Sequence, residues 1–134
     1  MQTALVNWTE FAQVRRELGA GFVRILGYFR EDGIKSVSAI EDAIRRRNAP
    51  ALVIPAHTLK GEARQFGAER LSLMAEEIEM IARRCVEHHE SPEELIEQVV
   101  ALRPTFDETL QLLENEANPL VPRRPVFGRK AGAL

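Results

Sequence analysis

Residues 52–66, LVIPAHTLKGEARQF, and residues 67–85, GAERLSLMAEEIEMIARRC, decide the fold. In the first segment Leu52, Ala56, Leu59, Ala63 and Phe66 recur at three- and four-residue spacing, the pattern of one face of an α-helix. Gly67 follows as a helix stop, because glycine takes the left-handed conformation that ends helices without a Cβ penalty. The second segment carries Leu71, Met74, Ala75, Ile78, Ile81, Ala82 and Cys85 on a single stripe. Two amphipathic helices joined by so short a turn pack antiparallel, so the stretch reads as a helical hairpin.

Working outward, apolar residues between Trp8 and Glu116 keep helical spacing and hardly anywhere alternate with period two, which predicts an all-α protein. A first helix is expected from Thr9 to Leu18, with Thr9 as its N-cap and Gly19 or Gly21 ending it. A second carries Phe22, Ile25, Leu26 and Phe29 and closes at Asp32-Gly33. A third places Val37, Ile40 and Ile44 together and ends in Arg45, Arg46 and Arg47, where cations suit the negative end of the helix dipole. Asn48 and Pro50 then mark a turn or a new N-terminus. After the hairpin, Ser91-Pro92-Glu93-Glu94 reads as cap, first helical position and acidic first turn of a last helix reaching toward Leu113, which Pro104 should kink or split. The expected architecture is an antiparallel four-helix bundle over residues 1–117, with additional short N-terminal and C-terminal helices. Residues 118–134, NPLVPRRPVFGRKAGAL, hold three prolines, two glycines and four basic residues without periodicity and read as a flexible tail.

The chain has 134 residues, 45% of them hydrophobic, and 18 basic against 20 acidic side chains leave a formal charge of −2. That length suits one domain with one core and leaves no room for an ATP-binding kinase module beside it. The near-neutral balance offers no footprint for nucleic acid or anionic lipid, which need a strongly basic face. A single cysteine, Cys85, excludes an internal disulfide framework and a cysteine-based zinc site. Neither a basic region leading into an apolar stretch at the N-terminus nor a run of about 18 uncharged apolar residues is found, so a cytoplasmic protein off the membrane is expected; a monomer is expected as well.

Of three histidines, His88 and His89 sit among Glu87 and Glu90 at a polar helix end and read as solvated side chains. His57 differs. With about 100° per residue it points about 140° from the centre of its helix's apolar stripe, with Lys60, Gly61 and Arg64 around it. Val53 and Ile54 share that outward face, and exposed apolar residues around an exposed histidine suggest a contact surface. Gly61, one turn beyond His57, costs roughly 0.5–1 kcal/mol relative to alanine, which close approach by another molecule would offset. Gly67 lies 10 residues after His57 and 12 before Glu79, so at 1.5 Å per residue the two side chains stand within about 3 Å in height across the hairpin. A carboxylate there can accept the Nδ1–H of His57 and leave the Nε2 lone pair free.

The run AHTLKGEARQFGAERLSLMAEEIE, residues 56–79, resembles the signature of histidine-containing phosphotransfer (HPt) domains, in which A-H-x-L-K-G precedes a G-A-x-x-L turn and a following helix. The upstream LGAGFVRILGYFRED is similar to the second helix of that family, so the resemblance spans about residues 8–88. It implies a helical bundle that relays phosphoryl groups between receiver domains without a nucleotide site or autokinase activity. It matches His57 to the phosphoacceptor, Lys60 to a residue that helps hold the phosphoryl group, Gly61 to the position leaving room for the receiver, and Glu79 to the one orienting the imidazole. Implied partners are receiver domains of response regulators, of hybrid histidine kinases, or of both, with no cofactor on this chain and magnesium only on the receiver. Two positions depart from the pattern: Glu62 replaces a small residue, and Arg64, where an uncharged residue is common, is placed either to help hold the phosphoryl group or to select partners. Glu62 points about 140° from His57 and so should not repel the phosphoryl group strongly. The alternative is an adaptor bundle that binds receivers without transferring phosphate.

Overall fold

The computed structural model describes residues 3–117, so the proposed tail over 118–134 lies outside the described residues. Five helices follow in order: α1 (Trp8–Leu18), α2 (Phe22–Arg45), α3 (Ala49–Gln65), α4 (Glu69–His88) and α5 (Ile96–Ala117). Helices α2–α5 form the bundle, and no strand occurs among the described residues. The short N-terminal helix is present as α1. The last described helix, α5, is a full member of the bundle, so no additional short C-terminal helix is seen among the described residues.

The α3–α4 hairpin follows the sequence pattern. Asn48 Oδ1 accepts the Ala51 amide at 3.1 Å and caps α3, and Gly67 takes a positive φ of 74° at the turn. There a Cβ would stand 2.7 Å from the Asn7 carbonyl oxygen, so the turn needs glycine for conformation and for space. Leu52, Ala56, Leu59, Ala63 and Phe66 are all buried, as are Leu71, Ala75, Ile78, Ala82 and Cys85 opposite them. Helix α1 is held over this turn by Asn7, whose amide donates to the Gly67 carbonyl at 2.7 Å and whose Nδ2 donates to Glu69 at 3.0 Å. Edge-to-face and tilted ring contacts run from Trp8 through Phe11, Phe22, Phe66 and Phe29 to Phe106, joining α1 to the bundle core.

Four expectations change. The N-cap of α1 is Asn7, whose Oδ1 accepts from Thr9 and Glu10, and Thr9 is the second helical residue. The second and third expected helices are one, because α2 runs without interruption through Asp32-Gly33. Gly33 is a packing residue: a Cβ there would stand 2.4 and 2.6 Å from Cε1 and Cζ of the fully buried Phe106 ring on α5. Ser91-Pro92 precedes a single 3-10 turn over Glu93–Leu95, and α5 proper starts at Ile96. Pro104 does not split α5. Its missing N–H frees the carbonyl of Val100, an exposed residue where water can replace the lost bond. Arg103, just before it, is clamped to both oxygens of Glu41 on α2 at 2.9 Å.

The Gly33–Phe106 contact makes a prediction. Gly33→Ala gains helix propensity but forces a methyl into a ring held by Phe29 and the surrounding core. Overpacking of this kind costs about 1–3 kcal/mol. The melting temperature should fall by roughly 5–10 °C, and Phe106→Leu should rescue part of that loss in the double variant, as read by thermal unfolding. Equal melting of wild type and Gly33→Ala would disprove the close-packing account.

Candidate functional site

His57 lies in the middle of α3, and its side chain is 59% exposed. Pro55 stays within the helix, two residues before it. The Nδ1 edge of the ring meets Glu79 Oε2 at 3.0 Å across the hairpin. Glu79 is only 5% exposed, on the α4 flank that α3 covers. Its Oε1 lies 2.9 Å from Lys60 Nζ, and its Oε2 also takes Arg83 Nε at 2.9 Å and Nη2 at 2.8 Å. Burial alone would push this carboxyl up, but the bonds from Lys60, Arg83 and His57 together outweigh it and hold the group at about 2. An ionised carboxylate can only accept, so the shared proton belongs to His57 Nδ1. The Nε2 lone pair is left on the exposed edge of the ring.

The sequence wheel needs one correction, which explains two residues at once. Lys60 and Val53 were expected on the open face, yet Lys60 is 19% exposed and Val53 is partly buried against the core. Both stand on the same side of α3. That helix packs against α2 and α4 at once, so its buried arc is wider than the apolar stripe alone. Lys60 is therefore a buried-stem cation bonded to Glu79. Ile54, on the other side of His57, is 69% exposed. Arg64 is exposed and pairs loosely with Glu76 at 3.8 Å. At Gly61 an added Cβ would meet nothing within 4 Å, so the space beside His57 is open. Glu62 turns away toward Asp32 of α2, where burial, and then the hydrogen bond and charge of Asp32, push its carboxyl up to about 7.

Two neighbours went unremarked at the level of sequence. Arg83 stands four residues after Glu79, a spacing that brings two side chains together on a helix, so the Glu-x-x-x-Arg pattern was a usable signal. Met80, next to Glu79, is 63% exposed and adds to the apolar surface of the hairpin. His88 and His89 end α4 in solvent. Among the described residues no group of three or more His, Cys, Asp or Glu side chains is placed to hold a metal ion, and no helix is long and apolar enough to cross a membrane. A surface hollow of about 350 Å³ lies at the hairpin turn, lined by Thr3, Glu10, Arg64, Gly67 and Leu73 among others, and a second of about 240 Å³ lies beside Arg70 and Met74; neither includes His57. The histidine sits on an open surface.

The Glu79 arrangement also sets an acid limit. Its carboxyl lies below the ordinary 4.5, so the stabilisation it brings is complete above that pH and is lost as the pH falls toward 2. Glu79→Gln should destabilise by about 1–3 kcal/mol at pH 7, with the gap from wild type closing between about pH 4.5 and 2. Urea titrations at pH 7, 4 and 2.5 measure this. A gap independent of pH would mean that the carboxylate charge contributes nothing.

The candidate site is thus a central histidine on an antiparallel hairpin, its Nδ1 anchored by a buried carboxylate and its Nε2 open. The model of the Hpt domain matches residues 24–117, and the chain belongs to that family, whose members act in histidine phosphotransfer within phosphorelays. Helix α1 precedes the matched range. The crystal structure of histidine-containing phosphotransfer protein B (HptB) from Pseudomonas aeruginosa PAO1 has the same fold, with a TM-score of 0.73, 21% identity, and coverage of 86% of this chain and 96% of that one. No curated protein matches the chain.

Proposed function

We propose that this protein is a phosphorelay intermediate that accepts a phosphoryl group on His57 Nε2 from an aspartyl phosphate of one receiver domain and donates it to another. Receivers of response regulators, of hybrid histidine kinases, or of both are its partners, met by a monomer in the cytoplasm. The observation that carries this reading is the buried Glu79 carboxylate 3.0 Å from Nδ1, which fixes the tautomer with a free Nε2 lone pair. In the forward step the Nε2–P bond forms, the P–O bond to the receiver aspartate breaks, and the electron pair leaves on that carboxylate. The chain contributes position and charge, the two means by which phosphoryl transfer is accelerated. Glu79 orients the ring, and Lys60 keeps Glu79 ionised. Gly61 leaves room for the receiver, while Ile54, with the exposed edge of Val53, and Met80 supply apolar contact; Arg64 meets the partner at the rim.

The test is transfer from a receiver domain carrying radiolabelled phosphate. Label should leave the receiver and arrive on this chain in an acid-labile, alkali-stable bond within the peptide holding His57. A receiver that loses its label at the same rate with and without the chain, with none arriving, sinks the reading and leaves the receiver-binding adaptor as the alternative.

A further inference from the structure

The charges around Glu79 are unequal in one respect that the sequence motif does not carry. Lys60 and Arg83 both bind the buried carboxylate, but on different oxygens and with different freedom. Lys60 is 19% exposed and holds Oε1. Arg83 is 57% exposed and converges with Nε and Nη2 on Oε2, the oxygen that also accepts His57 Nδ1–H. One oxygen atom therefore separates the guanidinium from the imidazole and receives three donors, more than its lone pairs serve well. Glu79 supplies the only acceptors recorded for Arg83 among the described residues.

We propose that Arg83 and Lys60 divide their work on phosphorylation: Arg83 leaves Glu79 Oε2 for the phosphoryl oxygens on His57 Nε2, and Lys60 stays on Glu79. This rests on the relay reading and goes beyond it by assigning the phosphoryl-holding cation. Three physical points carry it. A phosphoryl group brings close to two negative charges and three acceptor oxygens, a stronger partner for a planar guanidinium than one oxygen of a shared carboxylate. The move costs Arg83 little, because its side chain is already largely in water. Lys60 cannot follow without leaving a buried carboxylate short of its more buried countercharge, the only one on Oε1, which is the expensive way to break a buried pair. Arg64 has its own acceptor in Glu76 and shares no atom with the site.

The experiment uses the full chain, unphosphorylated and phosphorylated by a cognate labelled receiver or by phosphoramidate, with ¹⁵N NMR of the Arg83 Nε–H and Lys60 Nζ groups. The Arg83 resonance should shift on phosphorylation in wild type while the Lys60 resonance keeps its place. Arg83→Ala should melt close to wild type yet lower the equilibrium phosphorylated fraction, as a ratio to free chain, about 5- to 10-fold, the worth of one partly exposed charge-assisted bond. Arg83→Lys should recover part of that ratio. A Lys60 resonance that moves while Arg83 does not, or an unchanged ratio in Arg83→Ala, overturns the assignment alone. A wild-type chain that takes no phosphoryl group from either donor overturns the relay reading and this assignment together.

Discussion

His57→Gln should abolish phosphoryl uptake and leave the fold in place. In the proposed relay the nucleophile is the lone pair on Nε2, and an amide has no equivalent, so transfer from any receiver should fall more than about 1,000-fold. Stability should change by less than about 1 kcal/mol, since the ring is mostly exposed and contributes one hydrogen bond. Glu79 keeps its ion pairs with Lys60 and Arg83 in the variant, so the buried carboxylate is not orphaned. The other histidines do not substitute: His88 and His89 end α4 in solvent, and neither has a recorded partner among the described residues that would fix its tautomer. Label transfer and thermal melting on the same sample check both halves. Residual labelling of the variant at more than a few per cent of the wild-type level would move the phosphoacceptor elsewhere.

Local physics made the hairpin legible. Asn48 and Gly67 announce a cap and a stop through chemistry confined to a few residues, and the 3.6-residue stripes of α3 and α4 are buried where the wheel puts them. The height match between His57 and Glu79 needed only helix rise, and the two side chains do meet. What the sequence hid depends on a third element. Asp32-Gly33 has the composition of a stop, and only the Phe106 ring from α5 shows that the glycine is there for packing. Thr9 has the composition of a cap, and the use of Asn7 in its place follows from the bonds of Asn7 to Gly67 and Glu69, sixty residues away.

The same limit applies to charge. A wheel treats Lys60 as a solvated cation because it knows one helix, whereas the chain packs α3 between two neighbours and turns Lys60 into the countercharge of a buried carboxylate. Arg83 was the reverse case. It lies outside the resemblance motif and on the partner helix, yet it bonds to the oxygen that meets His57 Nδ1. The local positive character of the His57 face is therefore smaller than a count of cations implies, because Glu79 cancels part of it.

Gly61→Gln separates docking from chemistry, and two glycines in helix interiors show why it is informative. Gly33 is needed for the fold, since a Cβ there enters the Phe106 ring. At Gly61 a Cβ meets nothing within 4 Å and the residue is exposed, so neither packing nor backbone conformation requires glycine. Alanine there should raise stability by about 0.5–1 kcal/mol, the helix propensity that glycine forgoes. An element that gives up stability with no internal return points to an external one, and the open space lies one helical turn from Nε2. Glutamine extends into it, holding a docked receiver away from the histidine. Because a displacement of about 1 Å costs such reactions on the order of 100-fold, transfer from a receiver should drop by at least that much. Phosphorylation by phosphoramidate, too small to be excluded, should stay near the wild-type rate, and the melting temperature should not fall. Normal receiver transfer in Gly61→Gln would mean that the space beside His57 is not where the partner sits.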